Sequence, residues 1–180
     1  MTEAEFDRMI RTYGKDILRF CLMETGDRDL GDELYQDTML TLWEQKEKLD
    51  PDSNVKSYAL SVSIHIWKNR KRKYARRMRI VPQESYEQHI EFVETRELSD
   101  GSLTNPEERM LCAERTERVR RAVNSLQEKY RLVVYLYYTA ELTAKETAEC
   151  LHIPENTVRS RLRKAKKLLK ERLEAEEYDR

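Results

Sequence analysis

Apolar residues in the first third of the chain return at helical spacing. Phe6, Ile10, Tyr13, Ile17 and the group from Phe20 to Leu22 follow one another three or four apart, and Thr25-Gly26-Asp27 interrupts them as a turn. A second helix is predicted from about Leu30 to Gln45. On its wheel Leu34, Tyr35, Thr38, Met39 and Leu42 share one side, and Glu33, Gln36, Asp37, Leu40 and Glu44 share the other. Leu40 is out of place on that acidic side: it is either an idle exposed leucine or the mark of a partner surface. Asp50 to Asn54 reads as a turn, and a third helix follows from about Val55. It is apolar nearly all round as far as Trp67, which predicts the most buried helix of the set. Then the character flips, because Lys68 to Arg79 carries eight basic residues in twelve, with Trp67 and Tyr74 interleaved.

From about Ile80 to Asn105 the periodicity fades, and Pro82, Gly101 and Pro106 punctuate an acidic stretch that reads as a linker. Thr104-Asn105-Pro106-Glu107-Glu108 has the form of an N-cap, a first-position proline and first-turn acids opening a new helix. Four helices are predicted beyond it, near 107–124, 127–139, 144–151 and 155–175. The expected architecture is all-α, with two small helical domains, residues 1–80 and 106–180, joined by an acidic linker at 81–105.

The third and fourth of those C-terminal helices form a helix-turn-helix. Thr143-Ala144-Lys145-Glu146 is a capping box that starts a short helix, with Ala148 and Leu151 on its inner face. After His152-Ile153, Pro154-Glu155 opens the next helix, whose Val158, Leu162, Ala165, Leu169 and Leu173 make an inward stripe. Asn156, Arg159, Ser160, Arg163, Lys164 and Lys167 lie opposite. Such a helix fits the major groove, with polar groups toward base edges and cations toward phosphates. His152 stands where glycine usually makes this turn. A left-handed histidine there costs about 1 kcal/mol.

Charge changes the picture only when it is divided. Lys plus Arg and Asp plus Glu both count 34, so the chain sums to zero, which by itself argues against a nucleic-acid binder. Residues 1–50 hold 7 basic and 13 acidic residues, 51–80 hold 9 and 1, 81–117 hold 3 and 10, and 118–180 hold 15 and 10. Two basic blocks are each preceded by an acidic one, which can partner it when DNA is absent. Four Gly and four Pro in 180 residues are too few for a many-turned β-sandwich, and no apolar run approaches a membrane span. A cytoplasmic protein without membrane insertion is expected. Cys21, Cys112 and Cys150 are odd in number and far apart, so they read as buried thiols rather than a disulfide framework.

Catalytic and metal chemistry find no support in the spacing. The acidic group Asp27, Asp29, Asp32, Glu33 and Asp37 fails the calcium-loop pattern, since Asp32 stands at the sixth position, where glycine is needed. Cys150 and His152 have no second ligand pair, and no glycine-rich phosphate loop exists. No catalytic residue, metal, cofactor or small-molecule substrate is expected.

Two separated stretches resemble one family, the extracytoplasmic-function group of bacterial RNA polymerase sigma factors. Asp32 to Trp43 is similar to that group's region-two helix, in which an acidic-Leu-x-Gln-acidic core leads to a Leu-Trp pair. Val55 to Arg72 resembles its promoter-melting helix, and Leu126 to Leu169 its region-four helix-turn-helix, most closely over Thr157 to Leu162. The resemblance runs through the whole chain in order. It implies that Glu33, Gln36, Asp37, Leu40 and Glu44 dock on the clamp of core RNA polymerase. It implies that Asn69, Arg70, Arg72, Lys73 and Tyr74, with His65 and Trp67, engage the melted minus-ten strand of promoter DNA. Changing Lys71 or Lys73 is then expected to weaken opening with little sequence dependence. In the second domain Arg159 and Ser160 would read the minus-thirty-five element, with Asn156, Arg163, Lys164 and Lys167 beside them. The acidic linker resembles the segment that threads toward the RNA exit path, and an anti-sigma factor is an expected partner. Tyr58, Ser61 and His65 depart from the group's usual Trp, Arg and Asn, and His65 reads either as a satisfied helix residue or as a base contact. A helix-turn-helix regulator that does not bind polymerase would account for the second domain alone.

Overall fold

The structure, a computed structural model, describes residues 1–50, 53–80 and 106–178. The chain separates into two compact units, Met1–Val93 and Glu94–Arg180, and the predicted acidic linker lies outside the described residues.

The first unit is a bundle of α1 (Glu3–Thr25), α2 (Arg28–Glu44) and α3 (Val55–Ile80), each packed on the other two. Thr2 and Glu5 cap α1 reciprocally, a box the apolar spacing did not reveal. Gly26 ends α1 in the left-handed region at φ 69°, and Asp27 caps α2 by accepting from the Leu30 N–H at 2.8 Å. This two-residue turn folds α2 tightly back onto α1. At Gly31 a Cβ would stand 2.7 Å from Leu22 Cδ2 and 2.9 Å from Leu22 Cα, so only glycine permits the approach. The core holds Phe6, Met9, Ile17, Phe20 and Cys21 of α1, Leu34 and Leu42 of α2, and Leu60, Ile64 and Trp67 of α3. The buried hydroxyls of Thr38 and Ser63 donate to the carbonyls of Leu34 and Leu60, which removes the cost of burying them. Lys56 of α3 pairs with Asp16 of α1 at 2.6 Å, and the Met1 ammonium donates to the carbonyls of Lys46 and Leu49.

The burial of α3 is a stripe, Val55, Ala59–Leu60, Ser63–Ile64 and Trp67, while Tyr58 and His65 are exposed, so a segment apolar nearly all round in sequence is buried on one side. The basic run continues the same helix as far as Ile80.

The second unit gathers α4 (Pro106–Asn124), α5 (Glu128–Val134) and α6 (Ala144–Leu151) around α7 (Glu155–Tyr178). Val133, Ala148, Val158 and Leu162 form its centre, with Ala144, Leu151 and Ile153 packed against them. The predicted helix at 127–139 is not uniform. From Tyr135 to Thr139 it widens into a π-helical turn, closed by the Ala140 N–H donating to the Tyr135 carbonyl at 2.9 Å. Glu141, at φ 58°, then reverses the chain toward α6. Cys112 corrects the expectation of three buried thiols: it is exposed on the first half of α4, where the described side chains from Met110 to Thr116 all face water. Among its described side chains, α4 buries Ala122 and Val123, at its far end.

Candidate nucleic-acid interface

The helix-turn-helix is built by local chemistry. Thr143 accepts from the Glu146 N–H at 3.2 Å, and the Glu146 carboxylate accepts from the Thr143 N–H at 2.7 Å. At the other end His152 adopts φ 53°, ψ 47°. Its N–H donates to the Glu149 carbonyl, and the Ile153 N–H donates to the Ala148 carbonyl, the two bonds of a Schellman ending. Ile153 thereby folds onto the core and turns the chain into α7. Val158, Leu162 and Ala165 are buried, and Asn156, Arg159, Ser160, Arg163, Lys164 and Lys167 are all exposed on the opposite face. Arg159 donates from Nε and Nη2 to Glu155 Oε1 at 2.9 and 2.6 Å, with both side chains in solvent. An exposed pair of this kind contributes at most about 1 kcal/mol, so a base edge or phosphate can take the guanidinium over. Ser160 Oγ donates to the Thr157 carbonyl, which leaves its lone pairs available.

Lys166 was absent from the set predicted on the wheel. It stands at the rim of the same face, 5.7 Å from the Tyr138 ring centre, and the Tyr138 hydroxyl beside it holds its ammonium above the usual lysine range. Tyr137 and Tyr138 meet edge to face at 5.0 Å on the π-helical turn, both exposed. The π-helical turn carries both rings, and Tyr138 meets α7 through Lys166, a contact between helices that spacing did not flag.

In the first unit the basic segment of α3 divides in two. Asn69, Arg72, Lys73 and Tyr74 are exposed, as is His65, whose Nε2 lies 2.8 Å from Asn69 Nδ2. The contact joins side chains one helical turn apart on α3, so the His65 ring has a partner on its own helix. Trp67 is not on this surface. It is 7% exposed and belongs to the core stripe, so the expectation that it meets an unstacked base is corrected. Arg70 and Lys71, three and four residues beyond Trp67, continue the same stripe and point back to the body of the bundle. Lys71 Nζ stands 3.8 Å from Oε1 of the buried Glu24 and 5.7 Å from the Trp67 ring. Arg70 bridges two carboxylates of α2, Glu33 at 3.2 Å and Asp37 at 2.5 Å.

The outer face of α2 carries Glu33, Gln36, Leu40 and Glu44 exposed and Asp37 half-buried, with Leu40 57% exposed. Trp43 adds apolar surface at its end, its ring edge-on to Phe6 at 5.1 Å and covered by Lys46 Nζ at 3.4 Å. The acidic group considered for metal is dispersed into other work, with Asp27 capping α2 and Asp37 held by Arg70.

Comparison with known proteins places these features in one family. Residues 9–77 match sigma-70 region 2, and residues 116–169 match sigma-70 region 4. Two curated relatives from Bacillus subtilis (strain 168) are the ECF RNA polymerase sigma factor SigW and the ECF RNA polymerase sigma factor SigM. SigW is 23% identical over 93% of this chain and 88% of its own length, and SigM 25% identical over 91% and 92%. Among solved structures, the chain is similar in fold to the sigma factor RpoE in complex with the anti-sigma factor NepR from Bartonella quintana, with TM-score 0.72 and 19% identity over 94% of this chain and 96% of that one. It is also similar in fold to CnrH in complex with the cytosolic domain of CnrY, with TM-score 0.63 and 17% identity over 97% and 90%. The two region matches together span more than half of the chain in the order that the charge blocks follow, and the chain belongs to the sigma-70 family of RNA polymerase sigma factors, in its extracytoplasmic-function group.

Proposed function

We propose that this chain binds core RNA polymerase through the outer face of α2 and directs it to promoters, reading duplex minus-thirty-five DNA with α7 and holding the melted minus-ten strand along α3. The observation that carries the proposal is the α7 face: six polar or basic side chains, Asn156 to Lys167, are exposed opposite the buried Val158, Leu162 and Ala165 on a capped helix-turn-helix. On α3 the contacts fall to Asn69, Arg72, Lys73 and Tyr74, where cations follow phosphates and the tyrosine ring offers a stacking face. His65 stands beside them through Asn69. Residues 1–80 form the domain that meets polymerase and the minus-ten element, residues 81–105 the linker, and residues 106–180 the domain for the minus-thirty-five element.

The chain acts by positioning polymerase and contributes no catalytic group of its own. It works in the cytoplasm, where polymerase and promoters are. Among the described residues no helix is long and apolar enough to cross a membrane. An anti-sigma partner follows by likeness to RpoE, which is solved with NepR. Purified protein and core polymerase should form a stable complex at physiological salt and initiate at specific promoters. Arg159→Ala should cost about 1 to 3 kcal/mol at particular minus-thirty-five bases. If that variant transcribes every responsive promoter as the parent does, the assignment of α7 is wrong. Absence of any complex with core polymerase would remove the reading as a whole.

A further inference from the structure

Arg70 belongs by sequence to the basic run of α3, yet its guanidinium is spent on α2. It reaches Glu33 Oε2 and Asp37 Oδ2, whose residues stand one helical turn apart on the outer face, and its own side chain is only 31% exposed. Two carboxylates at that spacing repel each other and, left alone, swing apart in solvent. A planar guanidinium is the group that can hold both, because its fork donates in two directions at once. Arg70 occupies one oxygen of each carboxylate. The other oxygen of each belongs to a side chain that remains about half exposed, 62% for Glu33 and 48% for Asp37, and so can still accept from an incoming cation.

We infer that Arg70 is a positioning residue for the polymerase-binding face rather than a promoter contact: it fixes the Glu33 and Asp37 carboxylates in the arrangement that a cationic docking surface meets. The inference rests on the proposed role of the α2 face. It also explains why a helix of the DNA-binding segment is tied to the polymerase surface, since every displacement of those carboxylates is felt on α3 through the same side chain.

The test measures affinity for core polymerase in the absence of DNA, using full-length protein. Arg70→Ala should weaken that affinity about tenfold, an ordinary coupling for groups in one ion-pair network. In a Glu33→Gln, Asp37→Asn background the same change should have little further effect. Arg70→Lys separates the two roles: it keeps the charge a phosphate needs but loses the two-way fork, so core affinity should fall nearly as far as with alanine. Thermal unfolding of each variant identifies any loss that merely reflects an unfolded first unit, and Arg70→Lys, which keeps charge and length, remains informative if the alanine variant unfolds. If Arg70→Ala and Arg70→Lys bind core polymerase as the parent does while the carboxylate variants do not, the inference is overturned and the reading of α2 stands. If the carboxylate variants also bind normally, the reading of α2 fails and the inference with it.

Discussion

Lys71 and Lys73 stand two residues apart in the same basic run, and their surroundings assign them different work. Lys73 is exposed, whereas Lys71 is turned inward, with its ammonium 3.8 Å from a carboxylate that is almost wholly buried. Removing Lys71 leaves the Glu24 charge in a poor dielectric without its nearby cation. Lys71→Ala should therefore lower stability by on the order of 2 kcal/mol, with solvent access to the lysine keeping the loss below that of a fully buried pair. Lys73→Ala should leave stability within about 0.5 kcal/mol and instead reduce the salt dependence of promoter binding. Chemical unfolding and a salt titration of both variants decide the matter; equal stability of the two would contradict the structure. His152 shows the opposite relation between type and place. It stands where the motif usually has glycine, and the structure holds it in the left-handed region at φ 53° with a Schellman ending around it.

At the scale of helices, α2 is the element on which most depends, because its inner face closes the bundle while its outer face is the proposed polymerase surface. Its register against α1 is set where Gly31 meets the Leu22 backbone. Gly31→Ala forces a methyl against a Cα that cannot rotate away, so the helices must part. We expect a loss of about 1 to 3 kcal/mol in the first unit, visible as a lower unfolding midpoint, although alanine raises helix propensity. A variant as stable as the parent would show that the contact is not close. The α2 wheel placed the acidic face and Leu40 correctly outside, since amphipathic spacing reports only on one helix at a time. It could not show the close crossing at Gly31, which depends on where a second helix lies.

Across the whole molecule the three cysteines report on the two units separately. Cys21 lies in the first core, and burial pushes its thiol up to about 12, so it carries almost no thiolate at pH 8. Cys150 is buried in the second unit, and Cys112 is exposed on α4. Alkylation of the native protein at pH 8 should modify Cys112 first and alone, because thiolate fraction and access both govern the rate. In a Cys112→Ser variant, Cys21 and Cys150 should then label only as their own unit opens in denaturant, each tracing a separate transition if the units unfold independently. Labelling of native Cys21 as fast as Cys112 would contradict the packing around α1.

Helix number, the turn at Gly26, the capped helix-turn-helix and the polar face of α7 were legible in the chain. Each depends on local rules, on residues within one or two turns of each other. The two basic blocks were legible as well, but not the division within them. Whether a lysine or arginine serves DNA or the protein depends on which carboxylate lies across the interhelical gap. That partner is 33 to 47 residues away in the chain for Arg70 and Lys71. The inward turn of Trp67, the close approach at Gly31 and the π-helical display of Tyr137 and Tyr138 likewise arise from packing between helices, where burial of the apolar stripes overrides the character of the local sequence. The sequence by itself determined which surfaces this sigma factor has, and the tertiary structure decided which of their charges are free to act.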